Sequence, residues 1–146
     1  MITLKDIKTR VADVLTENGF NVFASEVQEG FAKPAVFVDV FPSSVELLTC
    51  GGRTEQITDS VEIKYISASE TMEDCVAVSE RLKRLFLYNT FDIADRHITI
   101  QRIEYEVEGN VLYTYFDVEF IQARDVQEDF ESMTELEIGG IKNGLT

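Results

Sequence analysis

The sequence has 146 residues, 45% hydrophobic, 10% aromatic and 27% charged, with two prolines and eight glycines. That length and composition give one folding unit with a real core, and exclude a disordered, collagen-like or low-complexity chain. Acidic residues number 27 against 13 basic ones, a formal charge of -14, which repels phosphate backbones and anionic bilayers, so nucleic-acid and membrane binding are disfavoured.

Helical spacing opens the chain, where Leu4, Ile7, Val11, Val14 and Leu15 recur at three and four. Thr3 and Asp6 can form a cap and Asn18-Gly19 a left-handed stop, which predicts a helix over about 3 to 18. A strand follows from Ala35 to Phe41, entered at Pro34 and left at Pro42, and a second runs over about 54 to 66. If Gly51-Gly52 is a two-residue turn, Val40 faces Ile63, Val38 faces Tyr65 and Asp39 faces Lys64. Near the tip Glu46 would face Ile57, so a bulge at Pro42-Ser43-Ser44 or an irregular outer half is expected.

A second helix is predicted over about 70 to 88, with Met72, Cys75, Val76, Ser79, Leu82, Leu85 and Phe86 on its apolar face. Acids at its start and bases at its end suit the helix dipole. The Gly109-Asn110 turn then joins two strands, pairing Val107 with Leu112, Tyr105 with Thr114, Ile103 with Phe116 and Arg102 with Asp117. Because Ile98 and Ile100 are out of phase with Ile103, a bulge at Gln101 or Arg102 is predicted to align Ile100 with Val118 and Ile98 with Phe120. The order helix, strand, strand, helix, strand, strand reads as a two-layer α+β domain over residues 1–124, with an antiparallel sheet of about four strands carrying both helices on one face. Residues 125–146 form an acidic tail, read either as a solvated terminus or as a segment ordered against a neighbouring subunit through Phe130, Met133, Leu136 and Ile138.

Candidate chemistry is sparse. His97 is the sole histidine and has no local metal-ligand partner, so a structural or surface role is expected. Cys75 falls on a predicted core stripe and Cys50 at a turn; with no CxxC pair, they suit a reducing compartment. The string CGGRTEQ is neither a P-loop nor a dinucleotide fingerprint, and no DxDxDG loop collects the carboxylates. No apolar run approaches the ~18 to 20 residues of a spanning helix, and the opening MITLKDIKTR lacks a signal peptide's apolar core, so a cytoplasmic location is expected. No enzyme activity, metal or cofactor is expected.

The face of the sheet turned away from the helices stands out instead. Phe37, Phe41, Val111, Tyr113, Tyr115 and Ile121 alternate there with Asp39, Lys64, Glu104, Glu106, Asp117 and Glu119. Aromatic patches in a charged surround have the composition of a protein interface. Alternatively, the tail or the linker from Phe20 to Lys33 covers this face within the monomer.

Several strings resemble the small tail-terminator, or tail-completion, proteins of phages and phage-derived particles, especially those of Gram-positive hosts and their prophages. These are MITLKDIKTRVADVL, KPAVFVDVFPSS, VEIKYIS, ERLKRLFLYN and YFDVEFIQAR, which together span about residues 1–124. The resemblance implies a virion structural protein that forms a ring, usually of six subunits, capping the tail tube and meeting the next component. Its partners would be further copies of itself, the tube protein, and a sheath or head-tail connector, first in the cytoplasm and then in the particle. The arm tip at Gly51, Gly52 and Arg53 would reach a neighbour or the tube. The alternative is a non-enzymatic adaptor or inhibitor using the same sheet face.

Overall fold

The first helix starts where the sequence offers a cap. In the computed structural model of the protein, which describes residues 2–23, 31–49, 51–69, 71–88 and 91–123, the Asp6 amide donates to Thr3 Oγ1 at 3.1 Å and the Thr3 amide to the Asp6 carboxylate at 2.9 Å. Two otherwise orphaned amides are thereby satisfied, and α1 runs Leu4–Glu17. Gly19, at φ +89°, takes the left-handed conformation that ends it. Ile7, Val11, Val14 and Leu15 form its buried face.

The main sheet has five strands in the order β1-β2-β3-β7-β6, one more than predicted. These are β1 (Val22–Phe23), β2 (Ala35–Leu47), β3 (Thr54–Ile66), β6 (Ile103–Glu108) and β7 (Val111–Ala123), while β4 (Phe91–Ile93) and β5 (Arg96–Ile98) make a separate ribbon. The extra strand, β1, lies parallel to β2 with Val22 opposite Val36 and Phe23 opposite Phe37. Two residues are too few to show a period in sequence.

The β6–β7 hairpin has the predicted register, Ile103 opposite Phe116, Tyr105 opposite Thr114 and Val107 opposite Leu112. The predicted bulge is replaced by a departure from the sheet. β6 starts at Ile103, and Ile98 pairs with Phe91 in the ribbon rather than with Phe120. Ile98 and Ile100 are still buried, because leaving the sheet returns out-of-phase residues to the core as a bulge would have done. Tyr105, which alternation with Ile103 and Val107 sets on the helix side of the sheet, is exposed on the edge strand and donates from its hydroxyl to the Ser79 carbonyl at 3.0 Å.

The second helix, α2 (Met72–Leu82), is capped by Thr71 and continues into a π-helical turn, Lys83–Leu87. Cys75, Val78, Leu82 and Phe86 are buried, whereas Met72 and Val76 of the expected stripe are 63% and 52% exposed. α2 lies over the sheet face bearing Tyr65 and Phe116: Tyr65 Oη donates to Asp74 at 2.7 Å, and the Phe86 and Phe116 ring centroids are 5.0 Å apart. Arg81 ties α2 to the end of α1, donating to the Asn18 carbonyl at 2.7 Å and lying 4.3 Å from the centre of the Phe20 ring.

The chain divides into two units. Met1–Ser44 with Thr58–Phe120 holds both helices and the core just described. The other comprises, among the described residues, Val45–Ile57 and Ile121–Ala123. In this second unit the arm does not close by a two-residue turn at Gly51-Gly52. The Leu48 amide donates to the Thr54 carbonyl at 2.9 Å and the Gly52 amide to the Thr49 carbonyl at 3.0 Å, so the loop spans residues 49–53. The Arg53 amide completes it on Thr49 Oγ1 at 3.1 Å, with Gly52 at φ +65°. Cys50 and the acidic tail, 125–146, lie outside the described residues.

Candidate functional site

Strand alternation builds the outer face of the first unit. On β3, Val61, Ile63 and Tyr65 are buried while Ser60, Glu62 and Lys64 are half-buried on the other side. On β7, Leu112, Thr114 and Phe116 are buried while Val111, Tyr113 and Tyr115 are half-buried. Two contacts join these strands: the Ser67 amide donates to the Asn110 carbonyl at 3.0 Å, and Ser60 Oγ to Asp117 at 2.8 Å. The two contacts are equally spaced along both strands, so one antiparallel register runs between them.

Tyr113 and Tyr115, two apart on one strand, point to the same side and stack with centroids 6.4 Å apart and planes 8° from parallel. Opposite them on β6 stand Glu106 and Glu104 respectively. Lys64 Nζ lies 5.9 Å from the centre of the Tyr113 ring. Burial pushes the Glu62 carboxyl above its ordinary range, Asp39 adds to the rise, and Lys64 opposes it. The Tyr115 hydroxyl is likewise raised, by burial first and then by the charges of Glu62 and Glu106. The result is a stacked aromatic pair rimmed by carboxylates, with one lysine among them. Such a surface offers ring area that a contact could bury.

The structure separates the predicted interface residues. Phe41 is 42% exposed on the first unit. Phe37, expected beside it on the open face, is instead 7% exposed, because Phe31 packs edge-on against it at 5.3 Å and Phe23 at 6.1 Å. The linker therefore covers that part of the face, one of the two readings the sequence left open. Ile121 is exposed on the second unit, as are Val45, Leu47 and Leu48, which sequence reasoning passed over beyond Pro42. At the arm tip Gly51 and Arg53 are exposed and Gly52 is buried.

The remaining candidates have local partners. His97 is exposed and pairs through Nδ1 with Asp92 across the β4–β5 ribbon. Cys75 is a buried thiol raised by that burial. Among the described residues no group of three or more His, Cys, Asp or Glu side chains could hold a metal ion, and no helix is long and apolar enough to cross a membrane.

No curated protein matches the sequence. Among solved structures, one that is similar shares 10% identity, covers 85% of this chain and 97% of its own, and has a TM-score of 0.46. The family model described as phage tail terminator protein matches residues 6–130, a span that takes in every strand, all of α2 and nearly all of α1. On that match the chain belongs to the phage tail terminator family.

Proposed function

We propose that the protein assembles through its outer sheet face into a closed ring that ends the tail tube and offers a surface to the next tail component. Membership of the family makes it a structural protein of the phage tail; the ring and the capping of the tube are the further step. The observation that carries it is the stacked Tyr113–Tyr115 pair, held half-buried within a carboxylate surround. A ring needs a heterologous contact that closes by rotation, and a pre-ordered aromatic pair supplies an anchor at low entropic cost. Phe41 extends the anchor on this unit, and Ile121 with the exposed tip residues Gly51 and Arg53 gives the arm its own contacts to a neighbour or the tube. The protein acts by shape and adhesion, as part of the tail particle, rather than by bond-making chemistry.

Tyr113→Glu tests this reading. It removes an aromatic anchor and sets a charge where the partner would desolvate it, so association should weaken about thirtyfold or more while the melting temperature stays near that of the parent. Light scattering and tube capping in a reconstituted particle give the two readouts. Unchanged assembly in Tyr113→Glu, Tyr115→Glu and Phe41→Glu alike would place the ring contact elsewhere.

A further inference from the structure

Strand β7 outruns its partner. β6 pairs with it only from Val111 to Phe116, whereas β7 continues to Ala123, and among the described residues no other strand lies on that side of it. The chain leading into β6 turns away, and a cleft of about 510 Å³ opens there. Thr99, Gln101 and Arg102 line it together with Tyr115, Asp117 and Glu119 of β7, so it adjoins the tyrosine face without being part of it. An open strand edge presents a row of backbone donors and acceptors ready to pair with another chain.

The side chains along this edge specify what would fit. Val118 and Phe120 are buried, while Asp117 and Glu119 are exposed. A strand laid alongside would set apolar residues beside the first pair and basic residues beside the second. The protein's own nearest segment, Ile98 to Arg102, does not alternate apolar with basic and is committed elsewhere: both isoleucines are buried in the body and Arg102 bridges to Glu104 at 2.6 Å. A second copy is a poor occupant, because two β7 edges side by side would oppose acid to acid and the sequence beyond Arg124 is itself acidic.

We infer that the Asp117–Phe120 edge of β7 is a strand-addition site for a partner protein, whose recognised segment is extended and alternates basic with apolar residues. The site stands on the strand edge, the cleft and the charge pattern, and does not depend on the tyrosine face making a ring.

The test titrates the full chain into a fluorescein-labelled peptide of alternating Lys and Val, followed by anisotropy, beside a Glu/Val peptide and Lys/Val peptides N-methylated on either alternate set of residues. Strand addition gives saturable binding of the Lys/Val peptide and none of the Glu/Val peptide. One N-methylated set should bind at least tenfold more weakly, because its backbone donors are lost. Glu119→Lys should weaken binding by a similar factor without moving the melting temperature, and amide exchange at Asp117–Phe120 should slow on binding. Three results would overturn the inference. The first is an absence of saturable binding by the Lys/Val peptide. The second is binding indifferent to both N-methylation and Glu119→Lys, which is what any cationic peptide would do on a chain of charge -14. The third is a change in the size of the protein alone in light scattering on Glu119→Lys, which would assign the edge to a second copy.

Discussion

Asp59 lies on the same side of β3 as Val61 and Ile63 and is 5% exposed. Burial pushes its carboxyl above the ordinary aspartate range, so the folded state holds a proton more tightly than the unfolded one. The stability tied to this group is fully present below the unfolded value near ~3.9 and is lost as the pH rises through the raised folded value. Glu62 shifts in the same direction. Asp74 shifts oppositely, lowered by hydrogen bonds from Ser67 first and Tyr65 second, and its contribution disappears as the pH falls through its depressed value. Melting temperature should therefore rise as the pH is lowered from 7 and fall again in stronger acid. Asp59→Asn should melt higher than the parent at pH 7 and show a flatter rise. Melts of both proteins between pH 7 and 3 check this, and parallel curves would show that Asp59 does not set the slope. Parity alone put Asp59 on the side of Val61 and Ile63, but a carboxylate there carries no signal in sequence that it will be buried. The sequence displayed the Thr3 and Asp6 cap openly, because a cap depends on spacing within one turn, whereas the burial of one carboxylate depends on what packs over it.

Elements were legible where a single local signal sufficed. The β6–β7 register follows from Gly109-Asn110, with Gly109 at φ +64°, and from unbroken alternation on both sides. The arm loop was not, because Gly51-Gly52 permits several turn types and only the Leu48 to Thr54 bond selects one. For α2 the sequence showed the helix but set its stripe slightly aside from the true one, since Val76 and Val78 both lie within reach of Cys75 and Leu82 on a helical wheel. Leu82→Ala should cost roughly 2 to 5 kcal/mol, the usual range for a buried leucine. Val76→Ala, on an exposed position, should stay within about 0.5 kcal/mol. Thermal or urea unfolding of the two variants separates the stripes, and equal losses would restore the one read from the sequence.

At the scale of the whole molecule, charge and aromatic surface pull in opposite directions. Composition disclosed both, but not their arrangement: Tyr113 and Tyr115 keep an open face, while Phe37 loses it to a linker segment and a two-residue strand that no pattern announced. Bringing copies of a chain of charge -14 together opposes like charges, and the carboxylates around the tyrosine pair add to that locally. In the ring proposed above, attraction comes from buried ring area, which salt barely affects, and repulsion from charges that salt screens. The screening length falls from ~30 Å at 0.01 M to ~8 Å at 0.15 M salt, so raising sodium chloride across that range should promote assembly in light scattering. A basic strand on the Asp117–Phe120 edge gains from the same acidic field, so its binding should weaken over the same range. Opposite salt dependences in one protein would mark two different surfaces. If self-assembly instead weakened with salt, ion pairs between copies would have to hold the ring, and the tyrosine face would lose its place as the anchor.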